Sequence, residues 1–233
     1  MSEVSKLDVY LLAVETAKIL NKKQKELQNI EWRNGEANLD TGYSQLACIC
    51  CEEAWNIIKK TRDIYNNVHI SCENPDINIT FTYSDGKNSK HKIELKSSKS
   101  KKIPGSTINK LEINQPLIYC LRPTNKIGTY KIRCSQYYNA MVKTDIDTFQ
   151  DRTPRPFIHF VKMNELHNYH SFKIIEKTEW IEHYAKCALK RIEENKKSWQ
   201  DIMIKSIKNI IIQQYIMNTS EEQFKLDKIK IQE

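Results

Sequence analysis

Apolar positions in the first sixty residues follow the spacing of amphipathic helices. Leu7, Leu11 and Val14 recur at helical intervals and predict a first helix over about residues 4–30. After a loop rich in turn-forming residues, the same periodicity returns and predicts a second helix over about residues 44–61. The chain therefore begins with two helices that each present an apolar face to a core.

The middle of the chain changes to the period of two that is typical of half-buried strands. Residues 77–83 and 92–96 alternate apolar and polar side chains, and the turn residues Ser84, Asp85 and Gly86 lie between them. This arrangement predicts a β-hairpin. The other segments with strand character are residues 68–72, 116–123, 130–138 and 157–163.

Helical periodicity returns over residues 176–218. Helices before and after a group of strands predict an α/β fold with a central mixed β-sheet flanked by helices and a helical C-terminal extension. Residues 1–175 would form the core, and residues 176–233 an extension that serves dimerisation or DNA contact, or belongs to the same domain. Thr153-Pro154-Arg155-Pro156 is a candidate stiff joint before the extension.

Composition narrows the class of protein. The chain has 233 residues, 37 Lys and Arg against 29 Asp and Glu, and a formal net charge of +8. Such an excess favours a polyanionic partner, either nucleic acid or an anionic membrane surface. Acidic residues interrupt the N-terminal apolar run, and no segment approaches a membrane span, so we expect a cytoplasmic protein. The seven cysteines lack zinc-site spacing and are expected to be reduced and apolar in character.

The predicted hairpin places chemistry on one face. If Ile77 and Ile93 pack on the same side, alternation brings Asp76, Glu94 and Lys96 together on the other side. Two close carboxylates repel each other unless a cation lies between them, and a hard divalent cation prefers such oxygen ligands. Lys96 could orient a metal-bound water, and Leu95 could lend its carbonyl as a further ligand. The set suits metal-assisted phosphodiester hydrolysis; the alternative is a solvated sheet face that happens to be charged.

A helix glutamate extends this hypothesis. At 100° per residue, Glu53 falls at the centre of the apolar face formed by Leu46, Ile49, Cys50 and Ile57. A carboxylate directed into a core is costly unless it is paired or binds a cation. Glu53 would therefore either meet a buried lysine or reach the Asp76 and Glu94 cluster as a metal ligand or a partner of the ligands.

Taken together, Pro75-Asp76, seventeen residues, and then Glu94-Leu95-Lys96 resemble the motif of the PD-(D/E)xK nuclease superfamily, with its restriction-endonuclease-like fold. The resemblance covers about residues 44–122. It implies that Asp76 and Glu94 hold Mg²⁺, with Mn²⁺ able to substitute, and that Lys96 positions the nucleophilic water. It also implies that Glu53 matches a glutamate that many members carry on the preceding helix.

The polar stretch after the motif suggests a sequence-specific double-stranded DNA endonuclease, most like a type II restriction enzyme. Its candidate DNA-binding residues are Lys99, Lys101, Lys102, Ser106, Thr107, Asn109, Lys110, Asn114 and Gln115. The resemblance further implies a homodimer and a cognate DNA methyltransferase. Three alternatives stay open: a structure-specific repair or recombination nuclease, a non-catalytic nucleic-acid-binding protein on the same fold, and a regulator that binds RNA.

Overall fold

A computed structural model describes most of the first three quarters of the chain. The described residues are 2–32, 41–73, 76–106, 112–125, 128–147, 155–163, 172–176, 203–204 and 207–208. The chain divides into two compact units, Met1–Trp180 and Ile181–Glu233. In the second unit residues 203–204 and 207–208 are helical, and the rest of the helical pattern predicted for residues 176–218 lies largely outside the described residues.

The described part of the first unit contains four helices, eight strands and two 3₁₀ turns. The helices are α1 (Ser2–Lys22), α2 (Gln24–Gln28), α3 (Thr41–Ile58) and α4 (Tyr137–Ala140), and the 3₁₀ turns span Lys59–Thr61 and Phe160–Lys162. The strands are β1 (Tyr65–Glu73), β2 (Asp76–Tyr83), β3 (Asn88–Ser98), β4 (Lys102–Pro104), β5 (Pro116–Leu121), β6 (Lys131–Gln136), β7 (Met141–Asp147) and β8 (Arg155–His159).

Several predicted boundaries are wrong. The first helix is divided at Lys23, whose ψ of 45° is not helical, so that α1 and α2 replace one long helix. The strand predicted over residues 130–138 ends at Gln136 and continues as α4. Of the proline-rich segment at residues 153–156, Arg155 and Pro156 belong to β8, where Pro156 pairs with Ile146, and the other two residues lie outside the described residues.

The five-stranded sheet has the order β1-β2-β3-β5-β6, and the smaller sheet has the order β4-β8-β7. In the larger sheet β3 and β5 are parallel and the other neighbours are antiparallel, so the sheet is mixed as predicted. The predicted hairpin is formed by β2 and β3, with Ile77 opposite Ile93 and Gly86 in the turn at a φ of 79°. Such a positive φ favours glycine because it has no Cβ.

The two faces of the larger sheet differ in character. The face that carries Ile77, Phe81 and Ile93 belongs to a single apolar cluster with buried side chains of α1 and α3. On the opposite face β5 contributes the buried Tyr119, whose ring meets Phe160 edge-on at a centroid distance of 5.4 Å. On the neighbouring strands β2 and β3 the same face carries polar and charged side chains. The character of this face therefore changes from apolar to charged between β5 and β3. None of the helices in the described part of the chain is both long and apolar enough to span a bilayer.

Candidate metal centre

Asp76 and Glu94 lie side by side on the polar face of the larger sheet. Asp76 is the first residue of β2, and the pairing of Ile77 with Ile93 puts the preceding residue of β2 opposite the following residue of β3. Both residues are buried, with only 6% of Asp76 and 7% of Glu94 exposed. Two adjacent carboxylates at this depth require compensating positive charge or donors.

The carboxylate of Asp76 has a different partner on each oxygen. The backbone N–H of Leu95 donates to Oδ1 at 3.1 Å, and the Lys92 ammonium forms an ion pair with Oδ2. In an extended strand the N–H and C=O of one residue point to the same edge. The Leu95 carbonyl therefore faces the edge on which Asp76 lies, as a ligand from this residue would require.

Glu94 is held by a lysine and a hydroxyl. Lys96 Nζ lies 2.8 Å from Glu94 Oε1, and Ser106 Oγ donates to the same oxygen at 2.7 Å. The Ser106 N–H in turn donates to Tyr137 Oη at 2.6 Å. Burial, followed by the nearby charge of Glu94, raises the pKa of the Tyr137 hydroxyl, which therefore stays neutral. Ser106 was predicted to contact DNA; in the structure its hydroxyl donates to Glu94 and its amide donates to Tyr137.

A glycine makes this support possible. A Cβ on Gly105 would overlap Tyr137 Oη and would lie 2.7 Å from the Pro156 carbonyl oxygen. Gly105 N–H also donates to that carbonyl at 2.8 Å, which ties the chain after β4 to β8. In the sequence Gly105-Ser106 is an ordinary turn dipeptide, and the local pattern does not identify Ser106 as a partner of Glu94.

The donor set fits Mg²⁺ in type and number. Asp76, Glu94 and the Leu95 carbonyl offer three hard oxygen ligands, and Mg²⁺ in proteins commonly uses one or two carboxylates and retains several waters. In the described part of the chain no cluster of three or more His, Cys, Asp or Glu side chains could hold a metal. The remaining ligands would therefore be water or substrate.

The described cysteines do not add a second centre. Six of them are free thiols. Burial raises the pKa of both Cys50 and Cys51 to about 12, so these thiols are neutral at physiological pH. They are apolar packing residues of α3, in agreement with their lack of zinc-site spacing.

The prediction that Glu53 points into the core is wrong. Its side chain is 45% exposed and lies 3.3 Å from Lys23 Nζ, and this hydrogen bond raises the pKa of Lys23. The buried residues of α3 are mostly small, whereas Ile49 is 54% exposed; the buried ones are Tyr43, Ser44, Ala47, Cys50, Cys51 and Ala54. Small side chains let a helix approach its neighbours closely. The larger isoleucines on which the predicted face was based lie outside the buried face. Glu53 is not part of the Asp76 and Glu94 site.

Apart from Ser106, the predicted DNA-binding residues fall into three groups. Lys99, Lys101 and Lys102 are exposed, and Lys102 Nζ lies 4.0 Å from the centre of the Phe157 ring. Thr107, Asn109 and Lys110 lie outside the described residues. The third group, Asn114 and Gln115, lies just before β5 and is partly buried.

Asn114 is a structural residue and not a free base-reading side chain. Its Nδ2 donates to the Ile175 carbonyl at 2.9 Å, and its Oδ1 accepts from the Ile175 N–H at 2.9 Å and from Gln136 Nε2 at 2.6 Å. Its amide thus fastens the segment at residues 172–176 to the end of β6. The neighbouring Gln115 Nε2 is buried without a hydrogen-bond partner among the described residues.

A cavity of about 440 Å³ adjoins the charged face at the N-terminal half of β3. Three lysines line it, Lys6, Lys90 and Lys92, against the single carboxylate of Glu112. Asn78, Asn114 and Gln115 add amides. Lys92 both lines the cavity and forms the ion pair with Asp76, so this one side chain links the cavity to the carboxylate site.

Comparison of the chain with protein families and with individual proteins gives no relatives. No family model, no curated protein and no solved structure matches it. The chemistry of the site therefore has to be inferred from its own residues.

Proposed function

We propose that this protein is a Mg²⁺-dependent endonuclease that hydrolyses phosphodiester bonds in double-stranded DNA, most like a type II restriction enzyme with the restriction-endonuclease-like fold. One observation carries the proposal. Asp76, Glu94 and Lys96 share one sheet face, and two buried carboxylates there are adjacent. On a sheet face that merely contacts solvent, such carboxylates would be exposed and would not be held by backbone and hydroxyl donors.

Each side chain has a distinct role in this mechanism. Asp76, Glu94 and the Leu95 carbonyl would hold Mg²⁺, which when bound neutralises phosphate charge and lowers the pKa of the attacking water. Lys96, now 2.8 Å from Glu94, would orient that water toward the phosphorus atom. Ser106 keeps Glu94 in place through its 2.7 Å hydrogen bond and leaves the other carboxylate oxygen available.

Charge supports a nucleic-acid substrate. The net charge is +8, and exposed Lys99 and Lys101 follow the strand that carries Glu94 and Lys96. Lysines at such positions contact phosphates and give salt-dependent affinity that is independent of sequence. A homodimer would cut both strands of the duplex, one at each site, and a cognate methyltransferase would protect the host DNA.

A second function is favoured by the ion pairs of the site itself. Lys92 pairs with Asp76 and Lys96 pairs with Glu94, so the cluster is balanced without any metal. A protein that binds nucleic acid without cutting it would have the same face, with the four charges serving stability. This candidate differs from the nuclease in needing no divalent cation for any of its behaviour.

Incubation of the full-length protein with supercoiled plasmid and Mg²⁺ separates the candidates. Discrete fragments indicate sequence-specific cleavage, and cleavage of branched oligonucleotides alone indicates a repair or recombination nuclease. A gel shift that is unaffected by EDTA, with no cleavage of either substrate by the wild type, indicates the binding protein and contradicts the proposed function.

A further inference from the structure

Lys92 lies outside the motif, yet it contacts a motif carboxylate. It lies two residues before Glu94 on β3, hence on the same face, and its ammonium pairs with Asp76 Oδ2. The Asp76 side chain is 8% exposed, whereas the Lys92 side chain is 48% exposed. A flexible, half-exposed cation therefore occupies an oxygen of a buried carboxylate.

Both oxygens of Asp76 already have partners. Oδ1 accepts the Leu95 N–H, which belongs to the backbone of β3 and has no freedom to withdraw. Oδ2 is paired with Lys92, whose four-carbon stem has several rotatable bonds. A divalent cation that binds between Asp76 and Glu94 brings its own positive charge to the position that the ammonium now neutralises. Lys92 is the partner that has to give way.

The cavity that Lys92 lines offers space for the displaced side chain. Lys92 is one of its lining residues, together with Lys6 and Lys90, and Glu112 is its single carboxylate. Lys6 and Lys90 line the same cavity of about 440 Å³, and their positive charges repel an arriving Lys92 ammonium unless an anion enters with it. A phosphate group of a nucleic acid is an anion of suitable size and charge.

We propose that Lys92 is a built-in competitor for the metal site. Its ammonium pairs with the Asp76 carboxylate when no divalent cation is bound. Metal binding releases the Lys92 side chain to the cavity that it lines, where the ammonium contacts a substrate phosphate. Lys92 is therefore a positioning residue that couples metal binding to nucleic-acid binding, each strengthening the other. The inference rests on the proposed function, because it requires Asp76 to be a metal ligand.

A matched pair of variants isolates the competition. Lys92→Gln and Lys90→Gln each remove one positive charge from the same face of β3, but only Lys92 is ion-paired to Asp76 in the described part of the chain. Mn²⁺ affinity of the full-length protein is measured without DNA, from the electron paramagnetic resonance signal of free Mn²⁺. Loss of a partly exposed ion pair changes an equilibrium by up to about fivefold, so Lys92→Gln should bind Mn²⁺ up to about fivefold more tightly than Lys90→Gln.

Thermal unfolding supplies a second readout that a purely structural role of Lys92 would not reproduce. Without metal, Lys92→Gln should melt below the wild type, because Asp76 keeps only the Leu95 N–H. With saturating Mn²⁺ the difference should shrink, since the cation replaces the lost ammonium. A difference that is the same with and without Mn²⁺ contradicts the competitor role.

Asp76→Asn separates failure of this inference from failure of the proposed function. If Asp76→Asn weakens Mn²⁺ binding and Lys92→Gln binds like Lys90→Gln, the metal site stands and the competition is refuted. If the wild type and Lys92→Gln both bind Mn²⁺ no more tightly than Asp76→Asn, Asp76 is not a ligand and both proposals fail. Binding by Lys92→Gln where the wild type shows none supports the competition directly.

Discussion

Two glutamates, Glu94 on β3 and Glu53 on α3, differ in what surrounds them. Glu94 is 7% exposed and is fixed by Lys96 and Ser106, whereas the Glu53 side chain is 45% exposed and pairs with Lys23. Both form an ion pair with a lysine, so a carboxylate–lysine contact alone does not mark a site. Burial, a second neighbouring carboxylate and a dedicated hydroxyl donor distinguish the Glu94 region.

The sharpest way to break this comparison is to remove each carboxylate in turn. Glu94→Gln should lower cleavage of plasmid DNA by more than about 100-fold, because a metal ligand is replaced by a weaker neutral donor. Glu53→Gln should leave cleavage within about twofold, since an exposed pair contributes little. The initial cleavage rates of both variants are measured at saturating Mg²⁺. Equal losses of rate would show that the Glu94 and Glu53 regions do not differ in function.

Substitution of Gly105 tests the packing that supports Glu94, through the free energy of unfolding. Gly105→Ala should lower the free energy of unfolding by about 1–3 kcal/mol, because the added methyl group meets Tyr137 Oη and the Pro156 carbonyl. Urea denaturation followed by tryptophan fluorescence gives the value. Gly86→Ala is a useful control, since a Cβ there contacts nothing within 4 Å and any cost arises from its φ of 79° alone. A Gly105→Ala protein as stable as the wild type would contradict the close approach.

Removal of the hydroxyl donor gives a smaller effect on activity. Ser106→Ala should reduce cleavage about tenfold, because side chains that orient metal ligands typically contribute 10–100-fold. Ser106→Thr retains a hydroxyl and should restore part of the rate. The rates should be compared at several Mg²⁺ concentrations, because a loss that excess metal does not reduce would argue against a role through Glu94.

The smallest effect is expected at the exposed ion pair. Lys23→Gln removes the partner of Glu53 from an ion pair whose two side chains are 32% and 45% exposed, and salt and water screen such contacts. Its melting temperature should be indistinguishable from that of the wild type in moderate salt. A marked fall would show that the Lys23 break between α1 and α2 depends on Glu53, and that Glu53 is more than a surface residue.

The strand pattern predicted more of this site than the helix pattern did, for a geometric reason. A strand offers only two faces, so Ile77 and Ile93 fix the orientation of Asp76, Glu94 and, by alternation, Lys96. A helix with apolar residues on most sides offers many faces. In α3 the predicted apolar face included the large Ile49, but Ile49 is exposed and the small Ala47 is buried.

Contacts between segments distant in sequence were beyond the reach of the pattern. Ser106 reaches Glu94 because β4 pairs with β8 and Gly105 allows close approach to Tyr137, a residue 32 positions away. Asn114 was predicted to read DNA but instead binds the backbone at Ile175. The periodicity of a segment predicts which face a residue occupies. It does not predict which distant segment will form a hydrogen bond with a polar side chain on that face.

Anomalous scattering from crystals soaked with Mn²⁺ tests the central claim most directly. The account predicts an anomalous peak between Asp76 and Glu94, within about 2.0–2.6 Å of an oxygen from each carboxylate. The Lys92 ammonium should have left Asp76 in the same map. A map without a peak at this position, under conditions in which the protein cleaves DNA, would contradict the assignment of these two carboxylates as the metal ligands.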